Sequence, residues 1–230
     1  MKDEKLETMR HSCAHLVAAA VQELYPEAKF GVGPIVENGF YYDIKFPGDF
    51  GENDLKEIEK MAIKLKNKNI PFVRKEMNID EAIKYFAEKK QDFKVSLLED
   101  LKEKGTTKMN AEELQDVGAN VENVSVYETG NFVDLCRGPH VESSAKVGSF
   151  KLTKLAGAYW RGSEKNPMLS RIYGICFETE KELDAYLKQI EEAKKRDHRK
   201  LGVELDLFTF SELVGPGLAL WTPKGTLLRN

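Results

Sequence analysis

The feature that most restricts the fold is the dipeptide Asn38-Gly39, which separates two short runs rich in β-branched and aromatic residues. Asn-Gly tolerates the positive φ angles of a tight hairpin turn. The runs Lys29 to Val36 and Phe40 to Ile44 are therefore predicted to be antiparallel strands joined at this dipeptide, with Tyr42 on the second strand. The chain must then contain an antiparallel sheet.

A second hairpin is predicted around Gly130, between strands at Val124 to Glu128 and Phe132 to Leu135. One more strand is expected at Arg171 to Glu178. The stretch from Thr106 to Asn123 is acidic and rich in turn residues, and we interpret it as an excursion.

Several segments repeat apolar residues at helical spacing. The first carries His11 and His15 on its early turns and is stopped by Pro26. The others contain Leu55 to Leu65, capped by Asp54 with Glu57; Ile83 and Phe86, capped by Asn78 with Glu81; Val95 to Leu101, closed by Gly105; and Leu183 to Ile190, which continues to a basic end at Lys194 to Lys200.

Composition indicates a soluble globular protein, with 41% hydrophobic and 32% charged residues. The longest apolar run near the start, Leu16 to Val21, is too short to cross a bilayer, so we expect a cytoplasmic protein without membrane contact. The three cysteines are widely spaced and odd in number, which favours reduced thiols over disulfides.

The formal net charge of −3 argues against indiscriminate nucleic-acid binding. The stretch from Ser144 to Ile175 is nevertheless locally basic and contains Tyr159 and Trp160. It is interpreted either as a solvated loop region over core aromatics or as a nucleic-acid contact.

Two compact pairs of potential ligands stand out, His11 with His15 and Cys136 with His140. Residues four apart on a helix share one face, and Gly138-Pro139 can bend the chain between the second pair. Three histidines and a cysteine would suit a tetrahedral zinc site. A lone histidine pair on a helix is more often packing or surface, and the metalloprotease motif fails because Ser12 stands where Glu is required.

Six segments, in order, resemble the second N-terminal domain and linker helix of bacterial threonyl-tRNA synthetases. They are His11-Ser-Cys-Ala-His15, Asn38-Gly-Phe-Tyr-Tyr-Asp43, Asp134-Leu-Cys-Arg-Gly-Pro-His140, Ala156-Gly-Ala-Tyr-Trp-Arg-Gly162, Arg171-Ile-Tyr-Gly174 and Arg196-Asp-His-Arg-Lys200. The histidine pairs also resemble those of related alanyl-tRNA editing domains.

The resemblance implies an α+β fold in which an antiparallel sheet packs with helices, followed by a long linker helix. It implies an editing domain at 1–178, a linker at 179–200 and the truncated start of a class II synthetase catalytic domain at 201–230. The expected activity is deacylation of seryl-tRNA(Thr), with no ligase activity in this portion.

The resemblance also implies the site residues. His11, His15, Lys94, Cys136 and His140 are expected to be catalytic, and Tyr42 and Asp134 to bind substrate. Taken alone, Tyr42 fits a buried strand aromatic, Lys94 a solvated helix residue and Asp134 a turn or cap residue. The related alanyl domains look like zinc proteins, so His11, His15, Cys136 and His140 are possible zinc ligands, although the threonyl enzymes are expected to need no metal for editing.

Serine lacks only the methyl group of threonine, and a missing methyl is worth about 1–3 kcal/mol of discrimination. A second pocket that admits serine and clashes with threonine solves this problem. Imidazoles that titrate near neutral pH suit deprotonation of water, and a lysine suits oxyanion stabilisation. Our hypothesis is that His140 and Lys94 position and polarise the water, His11 and His15 orient the seryl group and terminal ribose, and Cys136 completes the wall.

The expected partners are the acceptor end of tRNA(Thr) and the catalytic and anticodon-binding domains of a longer, homodimeric parent, in which alone ATP and Mg²⁺ would act. The alternatives are a freestanding trans-editing deacylase, a nonenzymatic tRNA-binding module and a zinc-stabilised structural domain.

Overall fold

A computed structural model describes residues 2–104, 122–211, 215 and 218–229. The chain divides into two compact units, Met1–Leu183 and Asp184–Asn230. The helices are α1 (Lys2–Leu24), α2 (Glu52–Asn67), α3 (Ile79–Glu88), α4 (Asp92–Lys104), α5 (Glu180–Lys195), α6 (His198–Glu204) and α7 (Pro223–Arg229).

The strands of the first unit are β1 (Lys29–Phe30), β2 (Ile35–Val36), β3 (Gly39–Lys45), β4 (Phe72–Asn78), β5 (Asn123–Thr129), β6 (Phe132–Leu135), β7 (Ser149–Tyr159) and β8 (Met168–Phe177). They form two antiparallel sheets. The larger has the order β1-β3-β8-β7, with β2 also paired to β3, and the smaller has the order β4-β5-β6. The predicted α+β class with antiparallel sheets is confirmed.

The first unit has two apolar clusters. In one, α1 and α2 pack on the larger sheet, and the stretch Cys13 to Val21 of α1 is buried throughout because both helix faces meet protein. In the other, α3 and α4 pack against the smaller sheet around Phe86, Leu98 and Val126. Since α1 also contacts β5 and β6, one helix borders both sheets.

The predicted hairpin at Asn38-Gly39 is confirmed, and Asn38 adopts a φ of 63°. The single strand predicted over Lys29 to Val36 is wrong, because it breaks into β1 and β2. Pro34 lacks an N–H for the ladder. At Gly33, a Cβ atom would lie 2.3 Å from the Tyr42 ring, so the backbone crosses that ring where only glycine fits.

The helix predicted at Leu55 to Leu65 begins earlier than Asp54. Its N-cap is Gly51, and Asp54 is the third residue of the first turn, where its carboxylate accepts the Gly51 N–H at 2.9 Å. The cap predicted at Asn78 is confirmed by its side chain, which accepts the Asp80 N–H at 2.9 Å. The helix at Val95 to Leu101 is confirmed as α4.

Two described strands of the first unit, β4 and β7, are missing from the sequence interpretation. β4 presents mostly exposed side chains, so it lacks the alternation of a half-buried strand. β7 lies in the basic stretch that we interpreted as loop or nucleic-acid contact, and a register shift between Leu152 and Lys154 interrupts its alternation. β8 begins at Met168, three residues before the predicted strand.

In the second unit, the helix predicted to continue to Lys200 ends at Lys195. Asp197 interrupts it and caps α6, accepting the Arg199 N–H at 2.9 Å. β9 (Phe208–Phe210) and β10 (Ala219–Trp221) pair antiparallel. The domain boundaries at 178 and 200 stay predictions.

Residues 105–121, which hold Gly105 and most of the acidic excursion predicted at 106–123, lie outside the described part of the chain. None of the described helices combines the length and apolar character that a membrane crossing requires. Cys13, Cys136 and Cys176 are all buried and form no disulfide.

Candidate active site

The two ligand pairs of the sequence meet in the structure. His11 and His15 lie one turn apart on α1, with ring centroids 5.0 Å apart. Cys136 and His140 lie just after β6, and the His140 ring is 4.3 Å from each of the α1 rings. One nitrogen or sulfur atom from each of the four side chains lies within 4.8 Å of the others, so segments more than 120 positions apart form one group.

The turn that carries Cys136 and His140 depends on Gly138. This residue has a φ of 73°, in the left-handed region that favours glycine, and the following Gly138-Pro139 peptide bond is cis. The Gly138 N–H donates to Cys136 Sγ at 3.2 Å, which folds the turn back on the thiol.

Cys136 lies between two imidazoles. Its Sγ is 3.3 Å from Nε2 of His11 and 3.3 Å from Nε2 of His140. A thiol has one proton, so Cys136 can donate to only one of these two nitrogens. A hydrogen bond from the other ring requires that its nitrogen carry a proton and donate to the sulfur.

Ser12 fixes the orientation of His140, and the sequence analysis missed this residue. Its hydroxyl donates to the Thr8 carbonyl at 2.8 Å, so its oxygen accepts from the Val141 N–H at 2.9 Å and meets His140 Nδ1 at 3.0 Å as an acceptor. We therefore assign the proton of neutral His140 to Nδ1. The lone pair of Nε2 is then directed toward Cys136.

Aromatic rings complete the enclosure of His140. The Phe72 ring stacks on it at 5.2 Å and an interplanar angle of 7°, and the Tyr127 ring lies 4.4 Å away. Neither was predicted as a site residue. Phe72 belongs to the strand that the pattern did not reveal, while the position of Tyr127 on β5 carried no motif.

A second, deeper group contains the remaining predicted residues. The Tyr42 hydroxyl donates to Asp134, and Lys94 forms an ion pair with the same carboxylate. His15 Nε2 lies 3.7 Å from Asp134 Oδ2, which links this group to the histidines. All three residues are at least 97% buried. Lys94 is thus not the solvated residue that its position alone would suggest.

The structure places Lys94 beside Asp134 and Tyr42. Its described contacts are with Asp134 and with the Tyr42 hydroxyl at 3.5 Å, and none joins it to His140. The pairing of Lys94 and His140 on one water stays a prediction, and the contacts described for Lys94 are those that hold Asp134.

Burial favours the neutral forms of His15 and His140. Desolvation lowers the pKa of His15 well below its usual range, and repulsion from His11 and Lys94 adds to the effect. Desolvation likewise lowers the pKa of His140, with further contributions from His15 and His11. These rings therefore do not titrate near neutral pH as expected from unperturbed values. At pH 7 they act as neutral acceptors.

A cavity of about 610 Å³ opens beside His11. This volume lies within the usual range for small-molecule sites. It is lined by the first turns of α1 and by the turn after Cys136, through Glu4, Glu7, Thr8, His11, Ile35, Arg137, Gly138 and Pro139. Arg137 was not predicted, although it stands between Cys136 and Gly138 and supplies a cation at the rim.

The donor set also fits zinc. Cysteine sulfur and histidine nitrogens are the preferred zinc ligands, and the four donors already lie together. Nδ1 of His15 is buried without a hydrogen-bond partner among the described residues, and Ser12 orients His140 as an outer-shell residue orients a ligand.

The basic stretch from Ser144 to Ile175 is partly neutralised within the chain. Lys151 pairs with Glu59 at 2.7 Å, Arg161 pairs with Asp100, and Arg171 donates twice to Asp43, at 2.7 and 2.8 Å. The Arg171 guanidinium also lies 3.8 Å from the centre of the Tyr41 ring. Arg171 joins two strands of the larger sheet, whereas Lys151 and Arg161 pair with residues of α2 and α4. A nucleic-acid contact in this stretch stays a prediction.

Comparisons with known proteins agree with the motifs. A family model described as the threonyl and alanyl tRNA synthetase second additional domain matches residues 124–173, which include Cys136 and His140. Threonine–tRNA ligase 1 of Bacillus subtilis is 49% identical over 228 residues, or 99% of this chain. Threonine–tRNA ligases of Citrifermentans bemidjiense and Dehalococcoides mccartyi are each 48% identical, over 227 and 225 residues, or 99% and 98% of this chain.

The chain spans about one third of the length of these relatives, 33% for the first two and 35% for the third. The similarity therefore covers nearly all of this chain and a minor part of each relative.

Proposed function

Because the chain belongs to the threonyl-tRNA synthetase family and carries its second additional domain, we propose that it hydrolyses the ester of serine wrongly attached to tRNA(Thr). The observation that supports this proposal most strongly is the meeting of His11, His15, Cys136 and His140 beside a cavity of about 610 Å³. Residues required only for packing would not need three imidazoles and a thiol in one place.

The reaction begins with a water molecule near the histidines. A neutral imidazole of this group accepts a proton as the water oxygen attacks the ester carbonyl carbon, and the imidazolium so formed returns that proton to the departing ribose oxygen. The tetrahedral intermediate then expels the ribose oxygen, which takes up a proton, and releases serine. Cys136 contributes a wall of the site and a hydrogen bond, not a nucleophile.

The remaining residues hold the geometry. His11 lines the cavity and is placed to contact the terminal ribose or the seryl group. Lys94 and Tyr42 fix Asp134, whose Oδ2 lies 3.7 Å from His15 Nε2. Ser12 keeps His140 in the tautomer that presents a lone pair. Truncating any of these supporting side chains would let a reacting group move. A displacement of about 1 Å can lower the catalytic rate about 10²-fold.

Zinc is not part of this sequence of steps. If bound, it would be held by His11, His15, Cys136 and His140 and would supply an activated water. We propose that editing requires no metal.

Hydrolysis of the seryl ester but not of the threonyl ester requires a pocket that rejects the larger amino acid, threonine. A synthetic site that accepts threonine discriminates poorly against serine, whereas a steric clash with the threonyl methyl excludes the correct product from hydrolysis. The same proposal includes tRNA(Thr) as a partner, together with catalytic and anticodon-binding domains in a dimeric protein that uses ATP and Mg²⁺.

Deacylation assays with seryl and threonyl esters of the same tRNA test this proposal. We expect the chain to hydrolyse the seryl ester at least tenfold faster than the threonyl ester. Equal hydrolysis of both esters would favour a general deacylase, and hydrolysis of neither, with tRNA still bound, would favour a nonenzymatic binding module.

A further inference from the structure

A second cleft, of about 550 Å³, lies at the other end of α1. Its wall includes four lysines from three parts of the chain, Lys29 on β1, Lys45 on β3, and Lys89 and Lys90 after α3. The apolar side chains of Pro26, Phe46 and Pro47 line it as well, and Glu27 and Gln91 complete the lining. We refer to this cleft as the lysine groove.

Some lysines of the groove lie where their positive charges repel one another. Lys29 and Lys45 are directly opposite each other in the β1-β3 ladder, where like charges are destabilising. Lys29 pairs with Asp92, which offsets one of the charges. Among the described residues, no carboxylate lies within ion-pair distance of Lys45, Lys89 or Lys90, all of which are exposed. Glu27 on the rim leaves an excess of positive charge.

From this arrangement we propose that the lysine groove binds the phosphodiester backbone of RNA. Lysines are hydrated point charges on flexible stems, which suits a chain of phosphates better than a single fixed anion. The groove has no arginine fork and no buried donor that would define a compact small-molecule site. The half-buried Phe46 ring stacks on Phe50 at 3.8 Å and forms a fixed apolar wall of the groove.

The position of the groove defines which part of an RNA reaches it. His11 and the end of α1 at Leu24 are 13 residues apart, which corresponds to roughly 20 Å of helix. A terminal nucleotide bound at the 610 Å³ cavity therefore cannot occupy the groove, and the contact must come from nucleotides further along the strand. In naming RNA, the inference rests on the proposed function.

The test compares two double charge reversals. Lys45→Glu with Lys90→Glu alters the groove, and Lys56→Glu with Lys64→Glu alters two exposed lysines of α2 by the same charge. Binding of an uncharged tRNA transcript is measured by fluorescence anisotropy across a salt series. We expect the groove variant to weaken binding at least tenfold at about 0.1 M salt and to reduce the slope of log K against log salt by about 0.9 per lysine. The control pair should change binding less than threefold.

Hydrolysis of a seryl ester of adenosine separates this inference from the proposed function. The groove variant should hydrolyse this short ester at the rate of the unaltered chain, since the ester does not reach the groove. If the unaltered chain fails on seryl-tRNA, the proposed function is wrong; if it succeeds and both double variants bind tRNA alike, only the groove assignment is wrong.

Two further measurements keep the result interpretable. Thermal unfolding shows whether the groove variant is folded, and Lys45→Gln with Lys90→Gln replaces it if it is not, with a smaller loss expected. Sedimentation with vesicles containing phosphatidylserine tests the membrane alternative. Vesicle binding that depends on Lys45 and Lys90, together with unchanged RNA binding, would overturn the assignment.

Discussion

Substitution of His11 or Cys136 tests the proposed chemistry at the level of single residues. Replacing either by alanine should lower the rate of seryl-tRNA deacylation by about 10²–10⁴, the range typical of a lost acid–base group or its immediate partner. The exposed His198 and the buried Cys176 provide matched alanine controls outside the site. A His11 or Cys136 variant that turns over like its control, with an unchanged melting temperature, would remove that residue from the site.

The lowered pKa values of His15 and His140 predict how stability depends on pH. Both rings stay neutral in the folded state, whereas the unfolded chain takes up protons below about pH 6.5. Stability is therefore retained above that pH and lost as the pH falls below it, by about 1.4 kcal/mol per pH unit for each histidine. Urea unfolding at pH 7.5, 6.5 and 5.5 measures the loss. His140→Gln should make the dependence shallower by about that amount, and an equally steep dependence in the variant would show that His140 is protonated in the folded state.

Whether deacylation requires zinc also depends on a few individual residues. We expect deacylation to continue at an unchanged rate after dialysis against a chelator, with far less than one equivalent of zinc per chain by elemental analysis. A rate that falls with the metal content and returns when zinc is added would assign His11, His15, Cys136 and His140 as a functional metal site.

At the scale of elements, the turn after β6 gives a sharp comparison between two glycines. A Cβ atom on Gly138, at a φ of 73°, would lie 2.2 Å from the Tyr127 hydroxyl oxygen and would displace that ring, which lies 4.4 Å from the His140 ring. Gly162 has a similar φ of 67° but has no atom within 4 Å of such a Cβ. Both alanine variants share the backbone strain, and only Gly138→Ala adds the clash.

We expect Gly138→Ala to destabilise the chain by about 1–3 kcal/mol more than Gly162→Ala and to reduce deacylation as well. Urea unfolding and initial rates on seryl-tRNA provide the two readouts. Equal stability and activity in the two variants would mean that the turn adjusts without moving His140.

The elements that were predictable from sequence are those whose signal is local. The Asn38-Gly39 turn, the Asn78 cap and the apolar stripe of α1 each lie within a few residues. β4 and β7 were not predictable, since β4 is mostly exposed and β7 contains an irregularity. Tertiary packing, not local preference, determines both strands.

The same division applies to the candidate site. The histidine pairs are visible as motifs, so their meeting could be anticipated. Ser12 could have been found, since it lies between His11 and His15, but its bond to His140 depends on a segment 128 positions away. The pairing of Lys94 with Asp134 and the lowered pKa values of His15 and His140 depend on tertiary packing and burial, which no motif reveals.

At the scale of the whole molecule, α1 joins the regions that matter. It contributes His11, Ser12 and His15 to the candidate site, packs against both sheets, and ends beside the lysine groove. The net charge of −3 hides this distribution, because Lys151 of β7 and Arg171 of β8 pair with carboxylates within the chain, whereas Lys45, Lys89 and Lys90 of the groove are exposed.

A double-mutant cycle on His11 and His140 tests most directly whether α1 and the turn after β6 act as one catalytic unit. Residues that work as a unit lose most of the rate when either is removed, and the second removal then costs little. We expect the His11→Ala, His140→Ala chain to deacylate seryl-tRNA no more than about threefold slower than the slower single variant. If the two losses multiply instead, the two segments contribute independently, and the shared site described above is contradicted.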